Sequence, residues 1–261
     1  MVQTNIFQPT EVRQITESVG NFSVLEYTRD ISVTPSSAVT EYFASKMGLR
    51  KRQVICRVNG GGVILQAGAM QIITGNVEIA TNIKGAGDLM KKFVGSRVTG
   101  ESAVKPRYTG NGIVYLEPTY KYILLEDLAD WGGAMTIEDG LFLACDDTVD
   151  MKVTARSNLS SAMLGGEGLF NSTLTGKGVA VLESPVPKDE LLVFDLDNDC
   201  IKIDGNMAIA WSQSLTFTVE KSTKSLIGSA ASGEGFVNVY RGTGRILVAP
   251  VTAKPSAPVL G

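Results

Sequence analysis

The chain has 261 residues, with 24 Lys and Arg against 27 Asp and Glu, a formal net charge of −3 and no His. Near-balanced charge argues against a general nucleic-acid binder, which needs a basic excess, and 44% hydrophobic against 20% charged residues place the chain among folded globular proteins. The missing His excludes Ser-His-Asp and Cys-His catalysis and every His-ligated metal site.

The opening stretch, MVQTNIFQPTEVRQ, has neither a basic start nor an apolar run, so no signal peptide is expected. No segment approaches the ~18 apolar residues of a membrane helix. A soluble, cytoplasmic protein is the expectation, with binding at a membrane surface left open. Residues 1–52 read as an N-terminal strand and helix addition packed on the body. Its helix is expected over 35–48, with Pro35 in the first turn, Gly48 at the stop, and Val39, Tyr42, Phe43 and Met47 along one side. Arg50-Lys51-Arg52 follows it and reads as a solvated C-terminal cap rather than an RNA site, since no aromatic array accompanies it.

Beyond residue 52 the chain repeats itself. GESAVKPRYTGNGIVYLE (100–117) aligns without a gap on GEGLFNSTLTGKGVAVLE (166–183), 66 residues on. A third copy, GEGFVNVYRGTGRILVA, starts at Gly233, and its Gly242 and Gly244 stand 66 residues beyond Gly176 and Gly178. TIEDGLFLACDDTVDMKVT (136–154) lies over KIDGNMAIAWSQSLTFTVE (202–220) at the same spacing, and GAMQIITGNVEIATN (68–82) over GLFLACDDTVDMKVT (140–154) at 72. Val149, Met151 and Val153 alternate with Asp150 and Lys152, as Leu215, Phe217 and Val219 do with Thr216 and Thr218, so the local structure is β with one face inward. The Gly-x-Gly elements read as turns or bulges between strands. The expected fold is therefore all-β: a triplicated β-sandwich with pseudo-threefold symmetry, about six short strands per unit, and one or two short helices, the second over 87–94. The body spans 53–250 in units of about 53–99, 100–165 and 166–250, with strands from 233–250 closing it, and 251–261 form a loose tail.

GAMQIITGNVEI, TGESAVKPRYTGNGIVYL, GEGLFNSTLTGKGVAVLES, AIAWSQSL and SGEGFVNVYRGTGRILVAP resemble, in order and spacing, the altered-inheritance-of-mitochondria (mitochondrial biogenesis) family, over about residues 53–250. The family has many uncharacterised bacterial members and a yeast mitochondrial member linked to inner-membrane organisation. The resemblance implies a trp RNA-binding attenuation protein-like β fold with internal triplication. It brings no catalytic residues, and fold alone does not carry function. This chain departs from the family pattern over residues 1–50, where the additional helix sits.

The polar features are sparse. Glu101, Glu167 and Glu234 are repeat-related and could converge on a hard cation, although each more simply opens a strand. DLDND (195–199) begins like a calcium loop but has Cys200 and Asn206 where Gly and Glu are needed, so it reads as an acidic turn. Gly60-Gly61-Gly62 and Gly85-Ala86-Gly87 read as tight turns, not phosphate loops. Cys56, Cys145 and Cys200 form no C-x-x-C pair and read as reduced, buried residues. Trp131 and Trp211 read as core or turn anchors. Three segments combine apolar and basic residues: Leu89, Met90 and Phe93; Leu159, Met163 and Leu164; Leu226 and Ile227. Under threefold symmetry they would share one end and form an apolar patch rimmed by positive charge.

The functional expectation is a non-enzymatic scaffold or interaction protein that binds a protein partner or an anionic membrane surface through a rigid β body. The alternative is a small-ligand or ion-binding module with sites between repeats. No cofactor and no nucleic-acid partner is expected, and a homo-oligomer is plausible because exposed β edges must be covered.

Overall fold

Antiparallel strand pairing dominates the computed structural model, which describes residues 2–81, 105–155, 170–205, 207–221 and 236–251. In chain order the elements are β1 (Gln14–Val19), β2 (Phe22–Glu26), α1 (Ala38–Lys46), β3 (Arg52–Leu65), β4 (Met70–Ala80), β5 (Arg107–Leu116), β6 (Tyr122–Asp127), β7 (Ala134–Glu138), β8 (Phe142–Asp146), β9 (Val149–Ala155), β10 (Phe170–Gly176), β11 (Val179–Ser184), β12 (Leu192–Asp204), β13 (Ala208–Ser212), β14 (Thr216–Lys221) and β15 (Phe236–Val248). The protein is mostly β, as its period-2 alternation requires.

Two antiparallel sheets hold these strands. The first runs β1-β2-β3-β8-β11-β6, with β5 also on β3 and β4 on β5; the second runs β12-β15-β13-β7-β10-β9, with β14 also on β15. The N-terminal segment is thus partly built into the body, since β2 pairs with β3 from Phe22 opposite Cys56 to Glu26 opposite Arg52. Strands of 14 and 13 residues replace some of the short strands expected. A long strand can serve several neighbours because its register breaks midway. In β3 the break against β5 falls between Asn59 and Gly62, after which Val63–Leu65 pair with β8. Gly60-Gly61-Gly62 is therefore a bulge inside a strand, not a turn between strands.

DLDND is corrected in the same way. It lies within β12, whose register against β15 breaks between Leu196 and Asp199, and Asn198 takes the left-handed conformation at φ 50 that releases the extra residues. Two of the Gly-x-Gly elements also sit inside strands, in β5 and β15, whereas Gly176-Lys177-Gly178 joins β10 to β11 as expected. Gly110, Gly176 and Gly242 share φ values of 119, 128 and 122, a region L side chains rarely enter. The repetition seen in the sequence therefore has a conformational cause at these three positions.

The core divides into three main clusters, of which only the second lies between the two sheets, while the first is drawn from strands of the first sheet and the third from those of the second. One cluster packs Phe22, Val54, Cys56, Val114 and Leu116 against Leu125, Ala144 and Val181. A second packs Leu124, Trp131, Met135, Ile137 and Leu182 against Ile209, Ala210 and Leu247. A third holds Trp211, Tyr240 and Ile246 beside Leu196 and Ile203. Both Trp residues are core anchors; Trp131 closes a 3₁₀ turn over Leu128–Trp131 and its Nε1 donates to Glu126 at 3.1 Å.

The helix expected over 35–48 is α1, three residues shorter at its start and two at its end, and its start is organised by the hydroxyls of Thr34, Ser36 and Ser37. None of its residues is buried. The helix expected over 87–94 lies outside the described residues. Among the described residues, no helix is long and apolar enough to cross a membrane.

Candidate functional site

The repeat-related Glu101, Glu167 and Glu234 lie outside the described residues, as do Leu89, Met90, Phe93, Leu159, Met163, Leu164, Leu226 and Ile227. Among the described residues no group of three or more His, Cys, Asp and Glu could hold a metal ion. The cysteines offer little reactivity. Cys56 and Cys145 are buried; burial, and then the nearby Asp146, push the Cys145 thiol up to about 12 and the Cys56 thiol higher still. Cys200 departs from the expectation, for it is exposed on β12. The broken register that keeps DLDND in the strand leaves this part of β12 outside the core.

The most distinctive surface belongs to the N-terminal segment. α1 places Val39, Tyr42, Phe43 and Met47 on one side by its 3.6-residue period, and these are 67%, 57%, 62% and 83% exposed. Tyr42 and Phe43 meet edge to face at 5.4 Å, which stiffens the stripe. Ile31, Val33 and Leu49 are also exposed beside it in the chain. The periodicity identified the stripe correctly, but the expectation that this helix packs on the body does not hold for its apolar side.

What ties α1 down is polar. Glu41 accepts from the Tyr120 hydroxyl at 3.5 Å. The following Arg50-Lys51-Arg52 is not the solvated cap expected. Arg50 and Arg52 both pair with Glu26, at 2.8 and 3.0 Å, and the Arg52 guanidinium also lies over the Tyr122 ring at 4.3 Å. Lys51 pairs with Asp30 and lies over Tyr120. The Lys51 ammonium holds the Asp30 carboxyl below its usual range, and Asp30 raises Lys51 in turn. These partners are far off in sequence, so spacing within the tripeptide could not reveal them.

Below this anchor lies a cleft of about 480 Å³ lined by Arg13, Tyr27, Arg29, Asp30, Ile31 and Lys51, among others. Arg13 donates through Nη2 to the Asn5 carbonyl at 3.1 Å, while its Nε is buried without a partner. A smaller cleft of about 330 Å³ separates the 3₁₀ turn at Asp130–Gly132 from β12 and β15. Its Asp195 is bound by Arg245 at 2.8 Å. Neither cleft was legible as a cleft, because each is assembled from segments far apart in sequence, although Lys51 lies in Arg-Lys-Arg and Asp195 in DLDND.

Comparison with known proteins places this architecture. A solved crystal structure of a Streptococcus pyogenes protein, from a structural genomics programme, is similar with a TM-score of 0.57 and 28% identity, over 78% of this chain and 89% of that one. An uncharacterized protein of Streptococcus pyogenes serotype M6 is 32% identical over 198 residues, 73% of this chain and 77% of the relative. The family model described as mitochondrial biogenesis AIM24 matches residues 48–251, the body from the start of β3 to the end of β15, and so excludes α1. The chain belongs to the mitochondrial biogenesis AIM24 family.

Proposed function

We propose that this protein is a non-enzymatic interaction protein: a rigid β body that presents α1 to a protein partner. The observation that carries the reading is the exposed stripe of Val39, Tyr42, Phe43 and Met47. Anchors at i, i+3, i+4 and i+8 suit a helix laid into an apolar groove. Leaving four such side chains in water forgoes burial worth roughly 1.5–3 kcal/mol each, which a partner can supply. The groove-bound form is favoured over a membrane surface because α1 has only nine residues and a single Lys, and its acidic residue is turned toward Tyr120. The body behind it is read as three related β units carried by the glycine-hinged strand pairs β4–β5, β9–β10 and β14–β15, with a trp RNA-binding attenuation protein-like arrangement about a pseudo-threefold axis.

The test is affinity capture from the native cell with the full chain and with a triple variant, Tyr42→Ser, Phe43→Ser and Met47→Ser. A defined protein retained by the first and lost by the second supports the reading. Equal recovery by both overturns it, and sedimentation of the full chain with anionic vesicles at low salt, lost in the variant, would replace the protein partner with a membrane surface.

A second reading is favoured by one observation, the buried and unpartnered Nε of Arg13 in the cleft with Arg29 and Lys51. That chemistry fits a small anion. A thermal-shift screen of phosphate, carboxylates and nucleotides reads it directly, since a ligand of the native state raises the melting temperature. No shift with any of them, or a shift that survives Arg13→Met, removes it.

A further inference from the structure

We infer that the cleft beside Arg13 is a binding site for a small amphipathic carboxylic acid, a single carboxylate carrying an aromatic or branched apolar tail. The inference rests on the small-anion reading of that cleft and narrows it to one class of ligand.

The walls of the cleft come from separate parts of the chain. Thr10, Val12 and Arg13, before β1, supply one; the segment from Tyr27 to Ser32, after β2, supplies the other; Lys51 and Pro118 complete it. Its volume of about 480 Å³ falls in the range of small-molecule sites. The walls are held in place without a ligand. The Thr28 hydroxyl donates to the Glu11 carbonyl at 2.9 Å and ties one wall to the other, and the Thr10 amide donates to the Arg13 carbonyl at 2.9 Å. A site already formed in this way loses little freedom on binding.

What the walls leave without a partner is cationic. Arg13, Arg29 and Lys51 stand against one carboxylate, Asp30. Asp30 is committed to Lys51 and accepts from the Ser32 amide at 3.1 Å. The Thr10 hydroxyl is committed as well, accepting from the Val12 and Arg13 amides at 3.3 and 3.2 Å. Among the described residues the exposed Arg29 makes no ion pair or hydrogen bond, and the Arg13 Nε has no acceptor. Two guanidinium groups short of acceptors suit a planar anion, and a carboxylate matches the paired donors of either one. Arg29 is the first contact and Arg13 the second.

The rest of the cleft selects the tail. Val12, Tyr27, Ile31 and Pro118 make much of its wall apolar, and Ile31 is 61% exposed, so a tail laid there takes apolar surface out of water. Inorganic phosphate would leave that surface wet, and the fixed charge of Asp30 repels a dianion more than a monoanion.

Isothermal titration calorimetry of the full chain with 3-phenylpropionate, its neutral amide 3-phenylpropanamide, acetate and inorganic phosphate tests this. 3-Phenylpropionate binds, and the other three bind at least about tenfold more weakly, because each lacks the carboxylate or the tail. Arg29→Gln weakens 3-phenylpropionate by about tenfold or more, and Ile31→Ser by about fivefold. Both positions are exposed, so an unchanged melting temperature of the free variants certifies the fold. Binding of phosphate without binding of 3-phenylpropionate overturns the inference and leaves the small-anion reading standing. Failure of all four overturns it too, and the wider reading then rests on the thermal-shift screen. Equal binding of acid and amide, or an affinity for 3-phenylpropionate unchanged in either variant, also overturns it.

Discussion

Gly75 and Gly112 face each other directly across β4 and β5, and a Cβ on Gly112 would stand 2.0 Å from the Thr74 carbonyl oxygen. Backbone cannot yield at that distance without losing the strand pair. Gly112→Ala is expected to destabilise the fold by about 3 kcal/mol or more, through strain rather than lost contacts. Gly68→Ala meets open space and carries only the strain of φ 82, so about 1 kcal/mol is expected. Urea unfolding of the two variants checks the order; an equal or smaller cost for Gly112→Ala contradicts the packing described for this hairpin.

Tyr115 sits 3% exposed beside Leu25 and Ile55, and its hydroxyl is buried without a hydrogen-bond partner. A buried unsatisfied hydroxyl costs its desolvation with nothing in return. Tyr115→Phe should therefore be neutral or stabilising by up to about 1 kcal/mol, where most core changes destabilise. A loss of 1 kcal/mol or more, measured by the same unfolding curves, would show that the hydroxyl does have a partner.

Glu126 is pushed above the usual Glu value of 4.5 by burial, which outweighs the hydrogen bond from Trp131 and the attraction of Lys188. A raised folded-state value means that the proton binds the folded chain more tightly than the unfolded one. The stability from this group is full below pH 4.5 and is lost as pH rises through the folded value. Glu126→Gln keeps the neutral form at every pH, and its carbonyl can still accept from Trp131. Its melting temperature should exceed the wild type's by a few degrees at pH 7, about 2–4 °C per kcal/mol regained, with the gap closing at acidic pH. A gap that widens on acidification contradicts the burial argument.

The three thiols should separate cleanly. Cys200 is exposed, while Cys56 and Cys145 are buried and held protonated well above neutral pH. A thiol reagent applied to native protein at neutral pH is expected to label Cys200 alone, with the other two reacting only after denaturation. Peptide mapping after labelling reads this directly, and native labelling at Cys56 would contradict the core assigned around Phe22 and Val54.

Much of the β architecture was legible because its determinants are local. Alternation marks the buried face where β9 and β14 begin, with Val149 and Leu215 1% and 5% exposed, but not along their whole length, since Val153 is 48% exposed; Gly110, Gly176 and Gly242 recur because an L side chain is strained at their φ. The site was less legible, because its determinants are distant. The period of Val39, Tyr42, Phe43 and Met47 reveals an apolar stripe, but not whether the chain itself covers it. Arg52 looks solvated within Arg-Lys-Arg, and only the return of Glu26 and Tyr122 buries it. DLDND looks like a turn because five polar residues suit one, yet pairing with β15 draws it into β12.

The central claim is that the outward side of α1 contacts a protein. The most direct measurement is photo-crosslinking in the native cell with Phe43→p-benzoylphenylalanine, set beside Ser45→p-benzoylphenylalanine on the opposite side of the helix. A discrete protein adduct from position 43 and none from position 45 is the result expected. No protein adduct from position 43, or the same adducts from both positions, would contradict it.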